Sequence, residues 1–142
     1  LYYYDATPDF RYYSGATSTT GIASVANGDI LGFALDMDNK ALYIHKNGTY
    51  MNSGDPTSGS SKTGAISELF SYSTNWADYG EVFPSFYVSS TSGAGAASFN
   101  FGNGFYRTTA VSSAQNPDDG IGVFEYDVPA NYRAITTKGL NA

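Results

Sequence analysis

The stretch from Asp29 to Tyr50 constrains the fold more than any other part of the chain, because its patterning changes twice over a short distance. Ile30-Leu31-Gly32-Phe33-Ala34-Leu35 is a nearly continuous apolar run, Asp36 to Lys40 is polar and turn-like, and Ala41-Leu42-Tyr43-Ile44-His45 alternates, with Leu42 and Ile44 on one face. This order predicts two antiparallel strands joined by a tight connection. Asn47-Gly48 follows, a pair that favours positive φ at both central residues of a hairpin turn, so Thr49 to Met51 is expected to fold back on the strand 41–46. Gly32, inside a strand, leaves room for a neighbouring backbone or an aromatic ring.

The rest of the chain reads in the same way. With Gly 16, Tyr 13, Phe 9 and only 14% charged residues, it consists of short aromatic-rich segments broken by turns, and its 142 residues suit one domain. Tyr2 to Tyr13 reads as one or two short strands or an extended arm, Ile22 to Val25 as a short strand, and Asn27-Gly28-Asp29 as a turn. Asn52 to Thr63 is Ser, Gly, Thr, Asp and Pro, too polar to pack, and is expected to be an exposed loop. Ile66, Leu69 and Phe70 have helix-like spacing. Further strands are expected at Val82 to Val88, at Ala96 to Phe101 with Phe99 and Phe101 on one face, at Phe105-Tyr106 after the turn Gly102-Asn103-Gly104, and at Gly122 to Tyr126 after the loop Asn116 to Gly120. The expected fold class is all-β, an antiparallel two-layer β-sandwich.

Charge and composition narrow the partners. A net charge of −6 with seven scattered Lys and Arg residues argues against a phosphate-backbone partner, so no nucleic acid is expected. No apolar stretch is long enough to span a bilayer, and Leu1-Tyr2-Tyr3-Tyr4-Asp5 lacks the regions of a signal peptide, so no membrane insertion is expected. With no Cys there is neither a disulfide framework nor a thiolate metal site. The chain does not begin with Met, which points to a processed product or to a segment of a longer polypeptide.

Catalytic chemistry finds no candidates. There is no G-x-S-x-G elbow and one His, and His45 lies opposite Leu42 and Ile44, where a surface or sheet-packing role is the expectation. Zinc would need carboxylates almost alone. Asp36-Met37-Asp38-Asn39 places oxygen ligands on a tight loop, but Ala41 and Asn47 stand where a calcium hand needs Gly and Glu, so a turn is expected. Asp118-Asp119-Gly120 reads as a solvated loop, and no glycosidase carboxylate pair can be nominated among thirteen acidic residues. Asn47-Gly48-Thr49 is formally a glycosylation acceptor but is read as a hairpin turn. No catalytic residue, metal or cofactor is assigned.

The run Gly28-Asp29-Ile30-Leu31-Gly32 through Asp36, then Leu42-Tyr43-Ile44-His45-Lys46-Asn47-Gly48, resembles the central hairpin of SPRY domains. Val82-Phe83-Pro84-Ser85-Phe86 and Phe99-Asn100-Phe101-Gly102 resemble two later strands of that family, in order. Pro129, Tyr132, Ala134, Thr137 and Leu140 fit a phrase that follows SPRY-like domains in bacteriophage tail and surface proteins, with Gly139 departing from the usual Asn. The resemblance implies a SPRY or concanavalin-like jelly roll over residues 1–128 and a C-terminal extension over 129–142. Because only residues 1–27 precede the Gly28-Asp29 pair, the family's first strands are expected to be lost, displaced or supplied by another chain.

The function implied is that of a non-enzymatic virion structural or adhesion module, part of a tail, fibre or capsid-decorating protein. Its partners would be other structural chains in a homo-oligomer, and a host-surface glycan or protein. A carbohydrate-binding lectin-like domain and an intracellular, cytoplasmic protein-recognition SPRY domain are the alternatives. SPRY domains bind through loops at one end of the sandwich, which directs attention to Ser53 to Lys62 and to Tyr72, Asn75, Trp76 and Tyr79. Trp and Tyr give large contact area at modest entropy cost, and Trp76 suits either core packing or exposed binding.

Overall fold

The computed structural model describes residues 2–4, 9–11, 23–65 and 96–135. The chain falls into two compact units, Leu1–Ser73 and Thr74–Ala142. All strands among the described residues pair antiparallel, and the helical structure there is limited to two three-residue 3-10 turns, which is compatible with an all-β fold.

In the first unit, strands β1 (Tyr2–Tyr4) and β2 (Asp9–Arg11) pair with Tyr3 opposite Phe10, in keeping with the strand reading of the Tyr-rich start. The second sheet has the order β3-β4-β5, with β3 Leu31–Asp36, β4 Ala41–Lys46 and β5 Thr49–Tyr50. Its register pairs Gly32 with His45, Phe33 with Ile44 and Ala34 with Tyr43. The β3–β4 connection is closed by Asp36, whose carboxylate accepts the Asn39 backbone N–H at 2.9 Å and its side-chain amide at 2.8 Å, an Asx turn of the kind that short acids favour. At the β4–β5 turn Asn47 and Gly48 have φ of 50° and 84°, the left-handed pair that matches the twist of the flanking strands.

Both faces of β4 are buried. Ile44 lies on one, and Ala41, Tyr43 and His45 on the other, while Leu42 is only half-buried. Leu42 and Ile44 share one face as expected, and His45 packs within the sheet on the other. The second face is covered by the segment 51–64, which the sequence had suggested was too polar to pack. Met51 and Pro56 are buried, and Gly54 lies so close to the Tyr43 ring that a Cβ there would sit 3.4 Å from Cδ1. Ser53, Asp55, Thr57, Ser60, Ser61 and Thr63 remain exposed, as expected of a loop, yet several of these polar groups also bond one another over the ring. Ser58 Oγ donates to the Asp55 carbonyl at 2.7 Å and accepts the Thr63 N–H at 2.9 Å, which leaves the Tyr43 hydroxyl as donor to it at 3.2 Å. Asp55 also accepts from the N–H and hydroxyl of Thr57 at 2.8 and 2.7 Å. Tyr43 is 1% exposed as a result, and its burial with that of Ile44 contributes about 1.5–3 kcal/mol each. The third strand ends at Tyr50, since Met51–Ser53 turns away with Asn52 and Ser53 left-handed.

Three strand expectations are corrected. Ala23 to Val25 forms no strand; Ser24 instead gives its carbonyl to Lys46 Nζ at 2.9 Å. In the second unit residues 96–101 are also without a strand. There the Asn100 side chain takes over the local amides: Oδ1 accepts Gly102 N–H at 2.8 Å and Gly104 N–H at 3.2 Å, and Nδ2 donates to the Val123 carbonyl at 2.9 Å. A side-chain acceptor that captures two nearby amides closes a turn, here at Gly102 to Gly104. Strands β6 (Phe105–Tyr106) and β7 (Thr109–Ala110) form a short hairpin as expected at 105–106. The segment 122–126 contributes a single bridge, Phe124 to Gln115, in place of a strand.

Candidate functional site

Of the residues that carried the resemblance, Asp29, Ile30 and Asn47 of the hairpin meet beside the β4–β5 turn. Asp29 ends the turn that begins at Ala26: its N–H donates to the Ala26 carbonyl at 3.1 Å and its Oδ2 accepts the Ala26 N–H at 2.8 Å. Its Oδ1 accepts Asn47 Nδ2 at 2.7 Å, and Lys46 Nζ lies 3.6 Å from Oδ2. Asn47 completes the clasp, taking the Ile30 N–H on Oδ1 at 2.8 Å while its own N–H donates to the Ile30 carbonyl at 2.9 Å. The Gly-Asp and Asn-Gly pairs thus hold each other across the hairpin, eighteen residues apart. These bonds, first that from Ala26 and then that from Asn47, with the Lys46 charge, hold the Asp29 carboxyl below its ordinary 3.8.

On the opposite face the His45 ring occupies the space left by Gly32. A Cβ at that glycine would fall within 2.5 Å of Nε2, Cε1 and Cδ2 of the imidazole. Tyr50 from β5 meets the ring edge-on, with centroids 5.4 Å apart and planes at 81°. His45 Nδ1 accepts the Gly48 N–H at 3.2 Å, and burial pushes the imidazole below its ordinary 6.5. The sequence had anticipated a ring or backbone over Gly32 but had not said that the ring was this histidine.

An open cleft of about 530 Å³ runs beside the same turn, walled by Lys46, Asn47, Thr49, Tyr50, Met51 and Asn52. Tyr72, Asn75, Trp76 and Tyr79, the residues the sequence nominated for binding, lie outside the described residues, as does the 82–88 segment.

The acidic loops are used locally. Asp36 is committed to Asn39, which holds its carboxyl below 3.8. In the second unit Asp118 accepts the Asn131 N–H at 3.0 Å, and Asp119 accepts the Ile121 N–H at 2.9 Å and sits 3.7 Å from Arg133. These contacts tie the start of the 129–135 segment to the 118–121 loop, which sequence patterning gave no means to foresee. Glu125 reaches Ser112 through both its N–H, at 2.6 Å, and its hydroxyl. Among the described residues no group of three or more His, Asp or Glu is placed to share a metal ion, and no helix is long and apolar enough to cross a membrane.

Large aromatic side chains are exposed in both units. Phe33 is 60% exposed on β3. Phe99 and Phe101, 48% and 44% exposed, stack with centroids 5.8 Å apart and planes within 3°, and Phe105 beyond them is 45% exposed. The alternation of 99 and 101 signalled a shared face; it did not signal that the face is open. Comparison of the chain with protein-family models, with curated proteins and with solved structures finds no match.

Proposed function

We propose that the chain is a non-enzymatic virion structural or adhesion module, built on a SPRY-like two-layer sandwich and acting by assembly with further copies and with other structural chains. The observation that carries this reading is the exposed, stacked pair of Phe99 and Phe101, with Phe105 also exposed in the same unit. Asn100 holds the backbone between the two stacked rings through three hydrogen bonds, so the rings are presented on a fixed frame. Fixed, exposed aromatic surface is what subunit interfaces are made of. The hairpin supports the same reading from the other side: Asp29, Asn47 and His45 are engaged in holding turns and strands, which is the use a scaffold makes of such residues.

Electron microscopy of the native particle tests this proposal. A repeating position in a virion or filament is the expected result, and a free monomer in a cell extract would overturn it. The cleft beside the Asn47-Gly48 turn favours one second reading, a lectin-like domain, because its walls offer amides and hydroxyls together with Tyr50. Glycan-array binding that is lost in Tyr50→Ala while the fold persists would support that reading; binding to no glycan would exclude it.

A further inference from the structure

The bond between His45 and Gly48 fixes the charge state of the imidazole. A backbone amide can only donate, so Nδ1 must present a lone pair to the Gly48 N–H, and the ring proton of the neutral form sits on Nε2. A second proton would have to bind at Nδ1, where it would face the Gly48 N–H. Protonation of His45 and the Gly48 bond are therefore mutually exclusive.

The packing leaves the ring little room to escape this conflict. Gly32 is pressed against its far side and Tyr50 meets it edge-on. Among the described residues, the titratable groups that the surrounding elements bring to it are Tyr50 from β5, Tyr43 on the same face of β4, and Asp36 at the far end of β3, which is committed to Asn39. At the turn, Lys46 and Asp29 lie next to each other and their charges offset. Burial adds to the resistance, pushing the imidazole below 6.5.

We propose that the Asn47-Gly48 turn is an acid-sensitive latch: a proton taken up at His45 Nδ1 releases the Gly48 N–H and frees β5 from β4. Because β5 pairs with β4 only through His45–Tyr50 and Lys46–Thr49, the loss falls on a two-residue strand and on the 51–64 segment that follows it. The β3–β4 pairing, six residue pairs long, stays in place. The device goes beyond the structural role proposed above and does not depend on it. It gives the chain a means to change the surface around the cleft on passing from neutral to acidic surroundings.

Nuclear magnetic resonance on the full chain tests the latch. The imidazole nitrogen shifts should report Nε2–H at neutral pH. As His45 titrates, the Gly48 amide should lose roughly tenfold or more of its exchange protection, corrected for the intrinsic rate, while Ala34 and Tyr43 amides keep theirs. In His45→Asn, which cannot titrate in this range, the pH dependence of Gly48 should vanish. An Nδ1–H tautomer at neutral pH, or Gly48 protection unchanged through the His45 titration, would overturn the proposal. The wild-type measurements decide it even where the variant does not fold.

Discussion

Gly32→Ala places a single methyl group where the His45 imidazole now lies, within 2.5 Å of three ring atoms, while real Cβ contacts stay beyond 3.0 Å. The backbone itself does not demand glycine, since Gly32 is not among the residues with positive φ. The whole cost therefore comes from the cross-strand neighbour. Either the ring leaves, losing its packing and the Gly48 bond, or β3 and β4 separate. Overpacking costs about 1–3 kcal/mol and the bond about 0.5–1.5 kcal/mol, so a loss of about 2–4 kcal/mol is expected. In a His45→Ala background the obstacle is gone, and the same Gly32→Ala change should stabilise by about 0.5–1 kcal/mol, because alanine loses less chain entropy in a strand than glycine. The double-mutant cycle, measured by urea unfolding, should give a coupling of about 3 kcal/mol with a reversal of sign. Equal destabilisation in both backgrounds would refute the packing argument.

Other perturbations reach the remaining supports. Asn47→Ala removes the acceptor of the Ile30 N–H and the donor to Asp29 and puts alanine at a φ of 50°; urea midpoints should show a loss of about 1–3 kcal/mol, and less for Asn47→Gly. Asn100→Ala leaves three backbone groups without their partner and should cost about 1–3 kcal/mol, with amide exchange rising at Gly102 and Gly104 and unchanged in β3 and β4. Asp29, Asp36 and Asp55 are all held below 3.8 by hydrogen bonds, so the stability they supply is present above that value and is lost as pH falls through their lower folded values. Urea midpoints should fall in that acid range, less steeply in Asp29→Asn. His45 acts earlier: with its folded value below 6.5, stability is full above 6.5 and declines as pH drops toward that folded value.

The parts of the fold that were legible in the sequence are those whose causes are local. Alternation in Ala41 to His45, the Asp36-to-Asn39 turn and the Asn47-Gly48 pair each act within a few residues, and together they set the register of the β3–β4–β5 sheet. Burial of the second face was not legible, because it depends on Ser58 and Asp55 satisfying each other's polar groups above Tyr43, and no composition count reveals that a Ser/Thr/Asp segment can form its own cover. The strand expected at Ala96 to Phe101 failed for a related reason. Apolar alternation is a statement about faces, whereas Asn100 spends its side chain on the Gly102 and Gly104 amides and so builds the turn that follows. Of the candidate site, Gly32 and Asn47-Gly48 were legible as folding residues; their use of His45 as a hinge between packing and turn was not, because a histidine in a strand carries no mark of which nitrogen it will offer.

Assembly through the exposed, stacked Phe99 and Phe101 rings is the central expectation. Sedimentation velocity of the purified chain over a roughly hundredfold range of concentration measures this directly. The account predicts an oligomer that grows with concentration and is lost in Phe99→Ser/Phe101→Ser while β3 and β4 amides remain protected; a monomer throughout in the unmodified chain would contradict it.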